Sequence, residues 1–86
     1  MKAYDIHEAH RHSSEHRAAI ERSTLCGCFY CRRSYASAEI VEWTDSGETA
    51  LCPRCGIDSV VGDASGFPVA DKDFLSAMRS FWFAGV

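Results

Sequence analysis

The sequence predicts a small α+β fold: a zinc ribbon with rubredoxin-like knuckles on a short antiparallel sheet, flanked by an N-terminal and a C-terminal helix. Three observations predict it. Two C-x2-C units, Cys28 with Cys31 and Cys52 with Cys55, are separated by twenty residues. Segments rich in β-branched and aromatic residues lead into and out of these units. An apolar stripe at helical spacing runs through Phe74, Leu75, Met78, Phe81 and Trp82 near the C-terminal end. The chain's 86 residues fit one domain. A domain of that size has a thin core, and a bound metal supplies stability that the core lacks.

In chain order, residues 1–13 are polar and are expected to be a flexible N-terminus, with residues 14–86 forming the domain. Ser13 or Ser14 suits a helix N-cap, and Glu15 to about Ser23 is expected to be helical. Arg32 to Tyr35 is expected to be a short strand. Residues 37–43 suit a short helix or a strand almost equally. Asp45-Ser46-Gly47 is a turn. Residues 48–51 and 57–61 are expected as strands on either side of the second cysteine pair. Gly62 to Gly66 is a loop, and Ala70 or Asp71 opens the last helix. The expected core is Ile40, Val41, Trp43, Leu51, Ile57, Val60, Phe74, Leu75 and Met78.

The cysteine spacing carries the chemistry. Zn2+ takes four thiolates in a tetrahedron, and two residues between cysteines let one tight turn present both sulfurs to one ion. Gly56 suits the close of such a turn because it tolerates positive φ. The expected ligands are Cys28, Cys31, Cys52 and Cys55, around one structural Zn2+ per chain. Iron remains open, because a tetrahedral four-sulfur site suits both metals. Cys26 is the additional thiol. It is expected to be small, buried and turned away from Cys28; the sharper alternatives are a swapped ligand or a redox-sensitive thiol. The histidines His7, His10, His12 and His16 do not by their spacing compel a second metal site.

Charge bounds the partners. The formal charge is −3. Four thiolates and one Zn2+ would make the chain more negative still, which disfavours nonspecific nucleic-acid binding. The basic residues gather early, however, and Arg17, Arg22, Arg32 and Arg33 are the candidate nucleic-acid contacts. Phe81, Trp82 and Phe83 are the candidate interaction surface, since three consecutive helical residues cannot all face one core. They would serve a protein partner or a homodimer. The N-terminus shows no apolar signal region, and no stretch approaches a membrane span. The expectation is a cytoplasmic chain with no membrane contact.

The run Cys26-Gly27-Cys28-Phe29-Tyr30-Cys31, with Glu39-Ile40, Trp43 and Thr49 through Gly62, resembles a family of short, uncharacterised bacterial proteins described only as cytoplasmic proteins. The resemblance covers roughly residues 13–83. It implies a cytosolic zinc-ribbon-like domain and brings no activity with it. Three functions follow as expectations: a noncatalytic protein-interaction module, a nucleic-acid-binding ribbon using the basic N-terminal third, and an enzyme or thiol redox sensor using Cys26 or a histidine-bound second metal. The first leads, and an enzyme is the less favoured outcome.

Overall fold

The computed structural model describes residues 5–84. Its elements, in order, are helices α1 (Ile6–Arg11) and α2 (Arg17–Arg22), strands β1 (Leu25–Cys28), β2 (Arg33–Ala36), β3 (Trp43–Thr44), β4 (Thr49–Ala50) and β5 (Val60–Gly62), and helix α3 (Lys72–Trp82). Single 3-10 turns lie at Ser37–Glu39 and Asp63–Ser65. This is the small α+β ribbon that the sequence predicts. Among the described residues, no helix is long and apolar enough to cross a membrane.

β1 is the central strand of a three-stranded antiparallel sheet ordered β2-β1-β5. β3 and β4 form a separate two-stranded hairpin closed by residues 45–48. Positions two apart on a strand share a face. Cys26 and Cys28 accordingly lie in one apolar cluster, with Tyr35, Val60, Ile20, Ile40, Ala50 and Cys52. Gly27 faces the other way: a Cβ there would meet the Val69 carbonyl at 2.5 Å and Leu75 at 3.2 Å. That second face carries Phe29, Val61, Val69, Phe74, Leu75, Met78 and Ala9. The expectation that Cys26 turns away from Cys28 is therefore corrected by the two-residue period itself.

α3 forms as expected. Asp71 is its N-cap and accepts a hydrogen bond from Asp73 N–H, and Phe74, Leu75 and Met78 are its buried face. The start of the chain differs. Residues 1–4 of the expected flexible segment lie outside the described residues, but Ile6–Arg11 is a helix capped by Asp5, whose side chain accepts from Glu8 N–H. Ala9 is buried beneath it, and the Trp82 indole N–H points to the Ile6 carbonyl. The second helix starts later than expected. Its N-cap is His16, not Ser13 or Ser14, and Glu15 sits at φ +47°.

Beyond the Ser37–Glu39 turn the chain is not helical: residues 40–42 are irregular and only Trp43–Thr44 is a strand. Val41, expected in the core, is 77% exposed, while Ile40 is buried. Trp43, Leu51 and Ile57 are half-buried. Ile20, Phe29, Tyr35, Val61 and Val69 take the places in the core that the sequence pattern did not assign.

Candidate metal centre

Each knuckle is a tight turn that follows from its sequence. After the first cysteine pair the N–H of Arg32 donates to the Cys28 carbonyl at 2.7 Å; after the second, Gly56 N–H donates to the Cys52 carbonyl at 2.9 Å. β1 delivers Cys28 to the end of the sheet, and the β3–β4 hairpin delivers Cys52. The two turns meet there. Among the described residues, Cys28, Cys31, Cys52 and Cys55 are the one group of three or more metal-ligating side chains that converge, with all ligand atoms within 4.8 Å of one another.

The distances fit a metal. A Zn–S bond of about 2.3 Å in a regular tetrahedron requires sulfurs about 3.8 Å apart. Cys28 Sγ lies 3.7 Å from Cys55 Sγ, and Cys31 Sγ lies 3.8 Å from Cys52 Sγ. Each short edge joins one knuckle to the other, so a single ion would tie the two halves of the chain together. No family model matches the chain, and no curated protein or solved structure matches it. The sulfur geometry therefore carries the identification of the site.

Neighbouring groups favour thiolates. Buried Ser59 Oγ lies 3.1 Å from Cys28 Sγ. Arg54 N–H donates to Cys52 Sγ at 3.3 Å. Burial acts to raise the Cys52 pKa, but hydrogen bonds from Tyr35 and from the Arg54 and Cys55 backbone outweigh it and bring the thiol down to about 7. Burial pushes Cys28 up, against the pull of Ser59 and the Cys31 and Tyr30 backbone. Cys55 is also raised, mainly by burial. The Tyr35 hydroxyl is enclosed and has no partner of good hydrogen-bond geometry. It lies close enough to Cys52 to favour negative charge on that sulfur, and a thiolate there would give the hydroxyl a stronger acceptor.

Cys26 lies on the same face as these ligands but outside the four-sulfur group. Burial, and then the charge of Asp63, push its thiol up to about 12. A protonated, enclosed thiol is a poor nucleophile and a slow redox sensor.

The remaining candidate residues separate. His7 packs edge-on against Phe81, and His10 stacks on Trp82 with ring centroids 4.0 Å apart. His12 ends α1, and His16 is buried. They form no metal cluster among the described residues. Trp82 and Phe83 are half-buried, Phe83 packing on Phe29 and Tyr30. Of the expected aromatic surface, Phe81 alone is largely exposed.

The four arginines do not form one patch. Arg17 lies over the Trp43 ring, pairs with Glu21 and donates to the Gly47 carbonyl. Arg22 lines a cleft that also holds Glu15 and Glu48. Arg32 and Arg33 line a different cleft, beside Cys31. Sequence reasoning missed Ser59 and Tyr35. Only Tyr35 carries a signal, its position on the strand that follows the first knuckle.

Proposed function

We propose that the chain is a noncatalytic scaffold built around one structural zinc ion, whose surface serves a protein partner. The sulfur geometry carries this reading. Two inter-knuckle contacts match the edge of a zinc–thiolate tetrahedron. Four protein ligands fill that tetrahedron, which is the pattern of structural rather than catalytic zinc. The metal would act mainly on folding. A structural zinc contributes about 10–16 kcal/mol of apparent binding energy. A chain of this length has a total stability of about 4–13 kcal/mol. The ion is therefore comparable to everything else that holds the fold. Val41 and Phe81 are the large apolar side chains left exposed among the described residues, and they are where such a partner would be sought.

Native mass spectrometry of the unreduced protein tests the reading. The expected result is one zinc per chain and one free thiol, which belongs to Cys26. Cys28→Ser or Cys52→Ser is expected to lose metal and fold together. A metal-free chain with paired disulfides, or a well-folded metal-free Cys52→Ser, would overturn it. Iron in place of zinc would show as a different mass and a coloured protein, and would change the identity of the ion but not its place.

A further inference from the structure

The two knuckles share a backbone turn and differ in the residue that closes it. Each closes on a residue with positive φ, +61° at Arg32 and +80° at Gly56. Glycine takes that conformation freely, whereas a residue with a side chain is strained in it. The second knuckle uses the unstrained residue. The first keeps an arginine at positive φ, as do Glu15, Asp45 and Ser46 elsewhere, but its side chain has a setting that theirs do not share.

The surroundings of Arg32 show what that is. Arg32 lines a surface cleft of about 360 Å³ with Arg33, Lys72, Ser76 and Cys31. No carboxylate lines this cleft, and among the described residues none of its three cations is ion-paired. Four other basic side chains have acidic company: Arg11 with Glu8, Arg17 with Glu21, Arg54 with Glu39, and Arg22 beside Glu15 and Glu48. Arg79 has no acid but is engaged by Tyr30, lying over its ring and donating to its carbonyl. On a chain of net charge −3, three cations without an acidic partner share one cleft among the described residues.

We propose that this cleft binds a phosphate monoester dianion, carried by a small phosphorylated molecule. Two guanidinium forks match phosphate oxygens in the plane, and the Lys72 ammonium and Ser76 hydroxyl add donors from the first turns of α3. Three cations in one cleft suit a single dianion. A phosphodiester backbone needs a longer run of cations, and Arg17 and Arg22 lie elsewhere. The site rests on the scaffold reading in one respect: the metal-closed knuckle holds Arg32 in place. The same cations have a rival role. Four thiolates on a divalent ion leave two negative charges at the centre, and nearby cations would offset them.

The test is titration of the zinc-loaded full chain with inorganic phosphate, followed by amide chemical shifts. Saturable shifts are expected at residues 31–33, 72 and 76. Arg32→Gly and Lys72→Gln are expected to weaken phosphate binding about tenfold each, as loss of one charge-assisted donor predicts. Arg22→Gln, with the same loss of charge, should bind as the native chain does. Arg32→Gly gives the first knuckle the residue that the second already has, so it should keep one zinc and an equal or higher thermal midpoint.

No saturable shift in the native chain, or native binding by Arg32→Gly, would overturn the proposal. Zinc lost more readily to a chelator by Arg32→Gly would also overturn it, by assigning the cations to the metal centre. So would tighter binding of a single-stranded oligodeoxynucleotide without terminal phosphates, weakened by Arg22→Gln, which would assign a wider nucleic-acid surface. If the chain folds without metal and Arg32→Gly still loses phosphate, the scaffold reading fails and the cleft stands.

Discussion

His16 joins three parts of the chain, and His16→Ala tests how much that junction contributes. The ring is buried, with 6% of the residue exposed. Its Nε2 accepts from Ala50 N–H at 3.0 Å, and Nδ1 lies 2.6 Å from the His12 carbonyl. An acceptor role for Nε2 puts the proton on Nδ1, which then donates to His12. The backbone N–H of His16 donates to the Glu48 carbonyl at 2.8 Å. One neutral imidazole thus ties the α1–α2 connection to β4, the strand that leads to Cys52.

Truncation leaves the buried Ala50 N–H without an acceptor, at about 1–3 kcal/mol. It also opens a cavity, for which large-to-small core changes give about 2–5 kcal/mol. Partial relaxation overlaps the two terms, and the expected loss is about 3–5 kcal/mol. For a chain of this size that lowers the thermal midpoint by about 12 °C or more. Thermal unfolding of the zinc-loaded protein by circular dichroism reads it directly. A loss below about 1 kcal/mol would refute the reasoning.

The pH dependence gives an independent check. Burial lowers the His16 pKa below its ordinary value of 6.5; the bond to the His12 carbonyl opposes this, and the His12 charge adds to it. The unfolded chain takes up this proton near the ordinary value, the folded chain only at lower pH. The contribution of His16 is therefore complete above that value and is lost as the pH falls below it. Acid also protonates the thiolates, so the informative quantity is the gap between native protein and His16→Ala. That gap should narrow between about pH 7 and pH 5. A gap that stays constant or widens would show that the ring is not held neutral.

Three other substitutions probe the centre and the sheet. Tyr35→Phe removes the hydroxyl beside Cys52 and should weaken metal affinity about 10–100-fold in competition with a chelator; unchanged affinity would remove Tyr35 from the site. Cys26→Ser should keep one metal per chain, because Cys26 lies outside the sulfur group; loss of stoichiometric metal in its mass spectrum would mean that the ligand set is wrong. Gly27→Ala drives a Cβ against the Val69 carbonyl and should cost about 1–3 kcal/mol or more in urea unfolding. A neutral effect would mean that α3 and the segment before it can move off the sheet.

The parts of the fold that are legible in the sequence are those governed by short-range rules. Two residues between cysteines make a metal knuckle, Asp71 caps a helix, and Phe74, Leu75 and Met78 recur on one face of it. The helix Ile6–Arg11 is less visible because its apolar content is only Ile6 and Ala9. Its histidines pack by ring stacking on Trp82 and Phe81, which hydropathy does not register. A signal was present nonetheless: Asp5 and Glu8 have the spacing of a capping box. Val41 was misplaced because the irregular segment after the Ser37–Glu39 turn buries Ile40 and leaves Val41 exposed, and apolar content alone cannot tell them apart. His16 and Ser59 act on partners 34 and 31 residues away, at Ala50 and Cys28. No local pattern marks such pairs.

The alternation of β1 explains why one short strand organises both halves of the molecule. Cys28 faces the metal centre, and Cys26 extends the same face as an inert thiol packed beneath α2. Between them Gly27 has no side chain, which lets the segment carrying Val69 approach the sheet backbone and brings Leu75 of α3 into contact. A larger residue at 27 would hold α3 away, and an apolar residue at 28 would leave three sulfurs for the ion. The metal face and the helix face are thus fixed by adjacent residues of a single strand. Since β1 also pairs with both β2 and β5, metal binding at its end would hold the strand to which both other strands and, through Gly27, α3 are attached. This is the physical sense in which one ion at the rim of the sheet would stabilise a core that extends well beyond its ligands.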